Sequence, residues 1–341
     1  MANENRLEPK SGRQGFQLES SKGFLVSFGL SVILVWVSHT VTFNHLAETI
    51  ENQYATIRGL PLTLDGQQAV IHPFYNRILF PAIFVFVTRS LSGWTDVQVF
   101  LLLRFLSFFT CLFAIFTAVA RRSDRSTSTN ACAVLALSMI PTFAHGWVHT
   151  SDIFDLTFCF FMFLFVAEGK FWFAFAVACL TAINRETGAF AAVFYFCAAI
   201  GRERLFSLAW KSLLLGLVPY VGAILVRKWF LGDLLAINST GQWYTGLSYN
   251  LSQLFLAMSR PSPIGWPSLL FAMMLFPWLM FLSRTVDYQL KARVVFAFIG
   301  VFGITAAVGI IAEVRTFIPC VSLLAAGAFA AKQSPKSLTL R

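Results

Sequence analysis

Apolar segments long enough to enter or cross a membrane recur along the whole chain, and this pattern constrains the fold more than any other feature. Of the 341 residues, 57% are hydrophobic and 12% are charged, whereas soluble domains carry about 25% charged residues. A membrane-spanning helix needs about 20 apolar residues, so the sequence predicts an all-α, polytopic membrane protein of about nine or ten transmembrane helices. The apolar segments lie near 24–43, 78–93, 97–120, 129–149, 153–168, 171–183, 188–200, 206–230, 265–283, 294–312 and 316–331.

Basic residues exceed acidic ones, and the excess lies in the connections between apolar segments. The net charge is +10, and most Lys and Arg fall in short polar stretches, as the positive-inside rule requires of cytoplasmic loops. The six cysteines all lie within apolar segments and show no Cys-x-x-Cys spacing. We therefore interpret the charge as a topology signal with no nucleic-acid partner, and the cysteines as small core side chains.

The two ends of the chain predict its orientation. Residues 1–23 are polar and mildly basic, and they lack the form of a cleaved signal peptide. We predict a disordered cytoplasmic tail at 1–23, one integral membrane domain at 24–331 and a second cytoplasmic tail at 332–341. The first loop, near 44–77, is then external. Short loops and an uncleaved first span are typical of a protein of the bacterial inner membrane.

A short hairpin is predicted at 171–200. Two apolar runs of about 13 residues, each too short to cross a bilayer, are joined by the polar stretch 184–188. Charged stretches typical of cytoplasmic turns flank both ends of the hairpin. Because irregular backbone is not tolerated against lipid, we expect a re-entrant helical hairpin whose tip lies within protein or beside an aqueous cavity.

Charged residues at the edges of the apolar segments are the best guide to function. A charge buried in lipid costs roughly 3 kcal/mol or more on insertion scales, so such residues persist where they pair, line an aqueous cavity or do chemistry. Arginine suits phosphate contact, and a carboxylate can act as a general base. Under the predicted topology, the charged residues that share the outer side include Asp152, Asp155, Arg185, Glu186, Glu313 and Arg315.

Each of these pairs also has a structural explanation, and both explanations remain open. Asp152 and Asp155 begin a predicted helix, where a carboxylate caps the first turn and offsets the helix dipole. They also share one helix face, because they are one turn apart. The Arg-Glu pair at the hairpin tip would then be an internal ion pair, and Glu313 with Arg315 would be a surface pair.

His145 and His149 are spaced to place two imidazoles on one helix face, close to Asp152 in the sequence. These residues do not form a complete set of metal ligands of a known pattern. No cofactor is therefore firmly implied, although a divalent cation is compatible with the sequence.

The segment 72–81, HPFYNRILFP, resembles a motif of a known superfamily. It is similar to the Tyr-Arg-hydrophobic-Leu-x-Pro element that follows the first external loop of C-type (GT-C-like) polyprenyl-phosphate-dependent integral membrane glycosyltransferases. Further features follow in the order of that superfamily: a basic loop, Asp152 at the outer end of the next helix pair, and a short hairpin with Arg-Glu at its tip. The resemblance covers roughly 72–200, and the late Glu-x-Arg at 313–315 adds to it.

The resemblance implies an enzyme that moves a sugar from a polyprenyl-phosphate-linked donor to a glycan, lipid or protein acceptor on the outer face of the membrane. Such enzymes carry acidic residues, often an adjacent pair, in the first external loop. Here the loop offers Glu48, Glu51 and Asp65 with no adjacent pair, and we assign Glu48 as the catalytic base because it follows the first span soonest. Asp152 would orient the acceptor or the sugar. The other expected substrate-binding residues are His72, Tyr75, Arg77, Asp155, Arg185, Glu186, Glu313 and Arg315.

Three other functions remain open on the sequence. A polymerase or ligase of lipid-linked polysaccharide would use a large late loop, here 231–264 with Trp243 and Tyr244, and an oligosaccharide on a diphosphate carrier. A secondary transporter or flippase would bind its substrate at a broken helix near the midplane, although we find no repeat relating the two halves of the chain. The third is a structural subunit of an export complex.

Overall fold

The protein is built almost entirely from helices. A computed structural model describes residues 11–58, 60, 62–64, 67–69, 78–122, 125–143, 150–231, 274–280, 282, 288–308 and 317–330. This described part contains one departure from the predicted all-α class, which lies within the first predicted loop. There β1 (Leu62–Leu64) and β2 (Gln67–Ala69) form a two-stranded antiparallel sheet with Leu62 opposite Ala69.

Helices follow one another through mostly short connections. They are α1 (Ser11–Thr42), α2 (Leu46–Arg58), α3 (Leu79–Ser90), α4 (Asp96–Ala120), α5 (Arg125–Met139), α6 (Thr150–Ala167), α7 (Phe171–Asn184), α8 (Phe190–Ala199), α9 (Leu205–Leu231), α10 (Tyr288–Val308) and α11 (Ile318–Ala330). A further helical stretch covers 274–280. Turns of 3-10 helix lie at Phe43–His45, Ile140–Phe143 and Glu186–Ala189.

Several helices have the length and composition of membrane spans. Within the described residues, five are long and apolar enough to cross a membrane: Ser21–Arg58, Asp96–Ala120, Thr150–Ala167, Leu205–Val226 and Tyr288–Thr305. Shorter apolar helices lie at Leu79–Ser90, Phe171–Asn184, Thr187–Ala199 and Ile318–Ala330. These are the helices of a membrane protein, as the composition predicts. The expected total of about nine or ten spans stays a prediction.

The first helix begins earlier than the sequence suggests. α1 starts at Ser11, within the stretch 1–23 that we assigned to a disordered tail. The polar residues before the apolar segment include Arg, Gln, Leu, Glu and Lys, which have good helix propensity. The helix of the apolar segment therefore extends back into them. Residues 1–10 and the predicted tail at 332–341 lie outside the described residues.

α6 lies at the centre of the bundle, where it packs against α4, α7 and α11. The ring of Phe163 on α6 meets the ring of Phe194 on α8 edge to face, with centroids 5.5 Å apart. The Ser322 hydroxyl on α11 donates a hydrogen bond of 3.2 Å to the Leu156 carbonyl on α6. Close aromatic packing and interhelical hydrogen bonds of this kind hold helices together in membranes. α6 is therefore a fixed platform for the residues at its two ends.

Two glycines in the left-handed conformation close the turns after α6 and α8. Gly169 has φ 71° and Gly201 has φ 75°, which glycine adopts without steric cost. After Gly169, the Lys170 N–H donates a hydrogen bond of 2.8 Å to the Phe165 carbonyl, as in a Schellman C-cap. These tight turns bring α7 back along α6 and α9 back along α8. The ring of Phe171 at the start of α7 lies 5.5 Å from the ring of Tyr195 on α8, so both turns lie at the same end of the bundle.

Ion pairs fix this turn end of the bundle. The Glu168 carboxylate after α6 pairs with Arg122 after α4, and its other oxygen lies 2.8 Å from the Lys170 ammonium. Both Arg122 and Glu168 are nearly buried. Because Arg122 lies two residues beyond the end of α4, the C-terminal ends of α4 and α6 lie side by side, and their N-terminal ends lie at the opposite end of the bundle.

Protonation of Glu203, in the turn before α9, is expected to lower the free energy of unfolding at acid pH. Its carboxylate accepts hydrogen bonds from the Tyr195 hydroxyl (2.6 Å) and the Lys211 ammonium (2.9 Å), and these contacts lower the pKa of Glu203 below its usual 4.5. A group whose pKa is lower in the folded state stabilises the protein above its unfolded pKa, and this contribution is lost as the pH falls through the lowered value. Unfolding of Glu203→Gln in detergent should therefore depend less on acid than unfolding of the wild type.

The exposed carboxylate of Glu51 provides the control for this prediction. Glu51→Gln should keep the acid dependence of the wild type. The same acid dependence in Glu203→Gln and in the wild type would contradict the proposed contribution of Glu203.

Candidate functional site

The start of α6 and the turn between α7 and α8 meet at the other end of the bundle. α7 ends at Asn184, and Arg185 follows in an extended conformation (φ −161°, ψ 153°) before the 3-10 turn Glu186–Ala189. The extended residue interrupts the helix and directs successive side chains to opposite sides. The Arg185 side chain therefore leaves the hairpin and reaches α6.

Two of the predicted carboxylates share the guanidinium of Arg185. Its Nη1 lies 3.4 Å from Asp152 Oδ1 and 3.6 Å from Asp155 Oδ2. The side chain of Arg185 is 12% exposed, that of Asp152 is 8% exposed and that of Asp155 is 0% exposed. The spacing of one helical turn places both carboxylates on the face of α6 that receives the arginine. We call Asp152, Asp155 and Arg185 the charge cluster.

Arg185 pairs with carboxylates of the neighbouring helix α6. Its extended backbone turns its side chain across to that helix. An ion pair between Arg185 and Glu186 within the hairpin tip, the structural alternative left open by the sequence, stays untested. The side chain of Glu186 lies outside the described part of the chain.

Neutral polar groups hold the charge cluster in place. The Thr187 hydroxyl and the Cys159 thiol both donate hydrogen bonds to Asp155 Oδ1, the latter over 3.6 Å. The Asn184 amide donates a hydrogen bond of 2.8 Å to the Ser151 carbonyl. These contacts join the turn to α6 on both sides of Arg185. A buried carboxylate is stable only where an opposite charge and hydrogen-bond donors compensate for its lost hydration, and Asp155 has both.

Gly188 allows the turn to press against α7. A Cβ atom at this position would overlap the Ala178 carbonyl oxygen and would lie 2.8 Å from the Ala182 backbone nitrogen. Backbone atoms of a helix cannot move aside as the end of a flexible side chain can. Only glycine therefore allows the turn to lie this close to α7. This close contact fixes the positions of Arg185 and Thr187 beside α6.

The proposed base, Glu48, lies in the first turn of α2. Its Oε2 is 3.8 Å from His45 Nδ1, and its Oε1 is buried without a hydrogen-bond partner. Glu48 makes no ion pair with the charge cluster in the described structure. The structure thus brings Asp152, Asp155 and Arg185 together and leaves Glu48 in a separate pair with His45.

Glu48 and the charge cluster nevertheless lie at the same end of the bundle. The Tyr54 hydroxyl on α2 donates a hydrogen bond of 3.0 Å to Asp96 at the start of α4. The ring of Phe80 on α3 lies 6.2 Å from the ring of Phe154 in the first turn of α6. Leu46, the first residue of α2, lies in one buried hydrophobic cluster with Val99 near the start of α4, so the start of α2 belongs to the end at which α4 and α6 begin.

Other predicted residues fall outside the described part of the chain, and nothing tests their placement. They are Asp65, His72, Tyr75, Arg77, His145, His149, Trp243, Tyr244, Glu313 and Arg315. Among the residues that the structure describes, no group of three His, Cys, Asp or Glu side chains is close enough to hold one metal ion.

Sequence reasoning missed a buried arginine within α4. Arg104 is fully buried; its Nη1 donates to the hydroxyls of Ser38 (3.4 Å) and Thr42 (3.3 Å) at the end of α1, and its guanidinium lies 4.8 Å from the Phe100 ring centroid. The available signal was a lone arginine inside the apolar segment 97–120. Arg104 ties α1 to α4 just before the turn that leads to Glu48.

Comparisons with models of protein families, with curated proteins and with solved structures give no match to this chain. The function is therefore inferred from the geometry of the charge cluster and from the resemblance of the sequence motifs.

Proposed function

We propose that this chain is a membrane glycosyltransferase that moves a sugar from a polyprenyl-phosphate-linked donor to an acceptor on the outer face of the membrane. The observation that supports this most is the charge cluster, in which Asp152 and Asp155 share Arg185 at the turn between two short apolar helices. A buried cluster of this kind at the end of a membrane bundle is a default candidate for a functional site.

The charge cluster has the chemical groups that a sugar phosphate needs. Carboxylates accept hydrogen bonds from sugar hydroxyls, and a guanidinium donates several hydrogen bonds in a fixed plane to phosphate oxygens. Both ion pairs of the cluster use Nη1 of Arg185. In this proposal Asp152 orients the acceptor or the sugar, while Arg77, Arg185 or Arg315 contacts the phosphate.

The proposed reaction is a displacement at the anomeric carbon. Glu48 takes the proton of the acceptor hydroxyl, the hydroxyl oxygen bonds to the anomeric carbon, and the bond from that carbon to the phosphate oxygen breaks. The arginines stabilise the negative charge that develops on the departing polyprenyl phosphate. The contact with His45 orients Glu48, and its unpartnered Oε1 suits a proton acceptor.

The short arms of the hairpin support a re-entrant arrangement. α7 has 14 residues and α8 has 10, both below the roughly 20 needed to cross a bilayer. In the proposed topology the hairpin as a whole starts and ends at the cytoplasmic side, and its tip carries the charge cluster toward the outer side of a bacterial inner membrane. Both termini are then cytoplasmic.

Substitution of Glu48 tests the assigned base. Glu48→Gln keeps the shape of the side chain but cannot accept the proton, so sugar transfer by purified protein in liposomes should fall by roughly 10²–10⁴-fold. Glu51→Gln changes an exposed carboxylate one turn further along α2 and should leave transfer unchanged. Equal rates for these two variants would remove Glu48 from the mechanism.

A transporter is the second candidate, and the break between α7 and α8 favours it. Discontinuous helices that end near charged side chains form the substrate sites of many secondary transporters. The same liposomes distinguish the candidates: a transporter moves the intact lipid-linked sugar across the bilayer without a new glycosidic bond, whereas the proposed enzyme forms that bond. Transfer from a diphosphate-linked oligosaccharide alone would instead favour a polymerase or ligase.

A further inference from the structure

We propose that the turn end of α9 binds an anionic phospholipid of the bilayer, with the phosphate of the headgroup held between Arg202 and Arg204. These residues lie in the turn between α8 and α9, at the opposite end of the bundle from the charge cluster. The proposal is therefore independent of the proposed enzymatic function.

The acidic residue between the two arginines does not neutralise them. Glu203 accepts hydrogen bonds from the Tyr195 and Ser207 hydroxyls, and the Lys211 ammonium donates to both of its carboxylate oxygens; these distances are 2.6–3.0 Å. The Lys211 ammonium lies 5.9 Å from the ring centroid of Phe171 and 6.0 Å from that of Tyr195, so it is turned toward α7 and α8. Glu203 and Lys211 compensate each other within the bundle.

Arg202 and Arg204 are accessible at the surface of the turn. Both residues are exposed, and neither takes part in an ion pair among the described residues. Two exposed arginines, two positions apart in one turn and without an ion pair among the described residues, supply positive charge suited to a phosphate. Charge complementarity thus favours an anionic over a zwitterionic headgroup.

An apolar stripe on α9 continues away from the arginine pair. Its members recur every three or four residues, so they lie on one face of the helix, and α9 is long and apolar enough to cross a membrane over Leu205–Val226. Acyl chains attached to a headgroup at the arginine pair would follow this face, which a soluble anion would not use. The exposed stripe consists of Phe206, Trp210, Leu213, Leu217, Val221 and Ile224.

Tryptophan quenching by brominated lipids tests the proposal, because Trp210 lies on the stripe and is 56% exposed. The full chain is reconstituted into phosphatidylcholine bilayers that contain a minor share of either brominated phosphatidylglycerol or brominated phosphatidylcholine. Each arginine near the membrane surface attracts anionic lipid electrostatically. We therefore expect roughly tenfold enrichment of the anionic lipid at this face, and stronger quenching by brominated phosphatidylglycerol than by brominated phosphatidylcholine.

Three variants locate the effect. The tryptophan fluorescence of the double variant Arg202→Gln/Arg204→Gln should be quenched equally by both lipids. Arg121→Gln changes an exposed arginine after α4, and its fluorescence should still be quenched more by the anionic lipid than by phosphatidylcholine. Trp210→Phe should reduce the excess, because it removes the reporter on the stripe. Equal quenching of the wild type by both lipids would overturn the proposal, as would an excess that persists in the double variant or is unchanged in Trp210→Phe.

Discussion

Replacing Arg185 by alanine is expected to destabilise the protein by about 3–5 kcal/mol, the largest effect that we predict for a single charge. The substitution leaves Asp152 and Asp155 without the guanidinium that both contact at 3.4–3.6 Å. Asp155 is fully buried, so water cannot replace the lost partner at low cost. The free energy of unfolding, measured by loss of helical circular dichroism as denaturing detergent is added to mixed micelles, reports this change.

Lys170→Ala is the matched control for Arg185→Ala. Lys170 also pairs with a carboxylate at an end of α6, but its side chain is 52% exposed, and exposed ion pairs contribute about 0–1 kcal/mol. A loss of stability in Arg185→Ala no larger than that in Lys170→Ala would show that the charge cluster is not a coupled buried unit.

Replacing Gly188 by alanine is expected to destabilise the protein by about 1–3 kcal/mol or more, as overpacking of a close contact does. The new methyl group would overlap the Ala178 carbonyl oxygen and crowd Ala182, so the turn must move away from α7. That movement displaces Arg185 and Thr187 from α6. We therefore expect reduced sugar transfer together with the loss of stability, as measured by the same unfolding and liposome assays.

Gly222→Ala separates this steric effect from the general effect of removing a glycine. Gly222 lies within α9, and a Cβ there would meet nothing within 4 Å. Alanine in a helix interior is favoured over glycine by about 0.5–1 kcal/mol, so Gly222→Ala should be neutral or stabilising. If Gly188→Ala were equally well tolerated, the close approach of the turn to α7 would not matter for folding.

Local signals in the sequence were sufficient to find the parts of the charge cluster. The spacing of Asp152 and Asp155 predicts one shared helix face, and both residues contact the same guanidinium. The polar stretch 184–188 predicts the interruption between two apolar helices, and α7 ends there at Asn184. Both inferences depend only on helical periodicity and on the poor fit of a charged stretch within an apolar helix.

Features that depend on tertiary contacts were not predictable in this way. Asp152, one of the two carboxylates that contact Arg185, is 33 residues away in the sequence, and the extended backbone at Arg185 directs its side chain to α6. The position of Arg104 within an apolar segment is visible in the sequence, but its partners, the hydroxyls of Ser38 and Thr42 on α1, are not. The strands β1 and β2 have three residues each, too few for a pattern of alternating side chains to be recognised.

Transfer of a labelled sugar is the measurement that tests most directly whether the charge cluster belongs to a glycosyltransferase. Purified wild-type protein in liposomes would receive sugars linked to polyprenyl monophosphates, with Asp152→Asn as the site variant and Glu168→Gln, at the other end of α6, as the control for an altered ion pair. We expect a glycosylated product from a monophosphate-linked donor with the wild type and with Glu168→Gln, and a loss of product with Asp152→Asn. Folded wild-type protein that transfers no sugar from any such donor, or an Asp152→Asn variant with full activity, would contradict the proposed function.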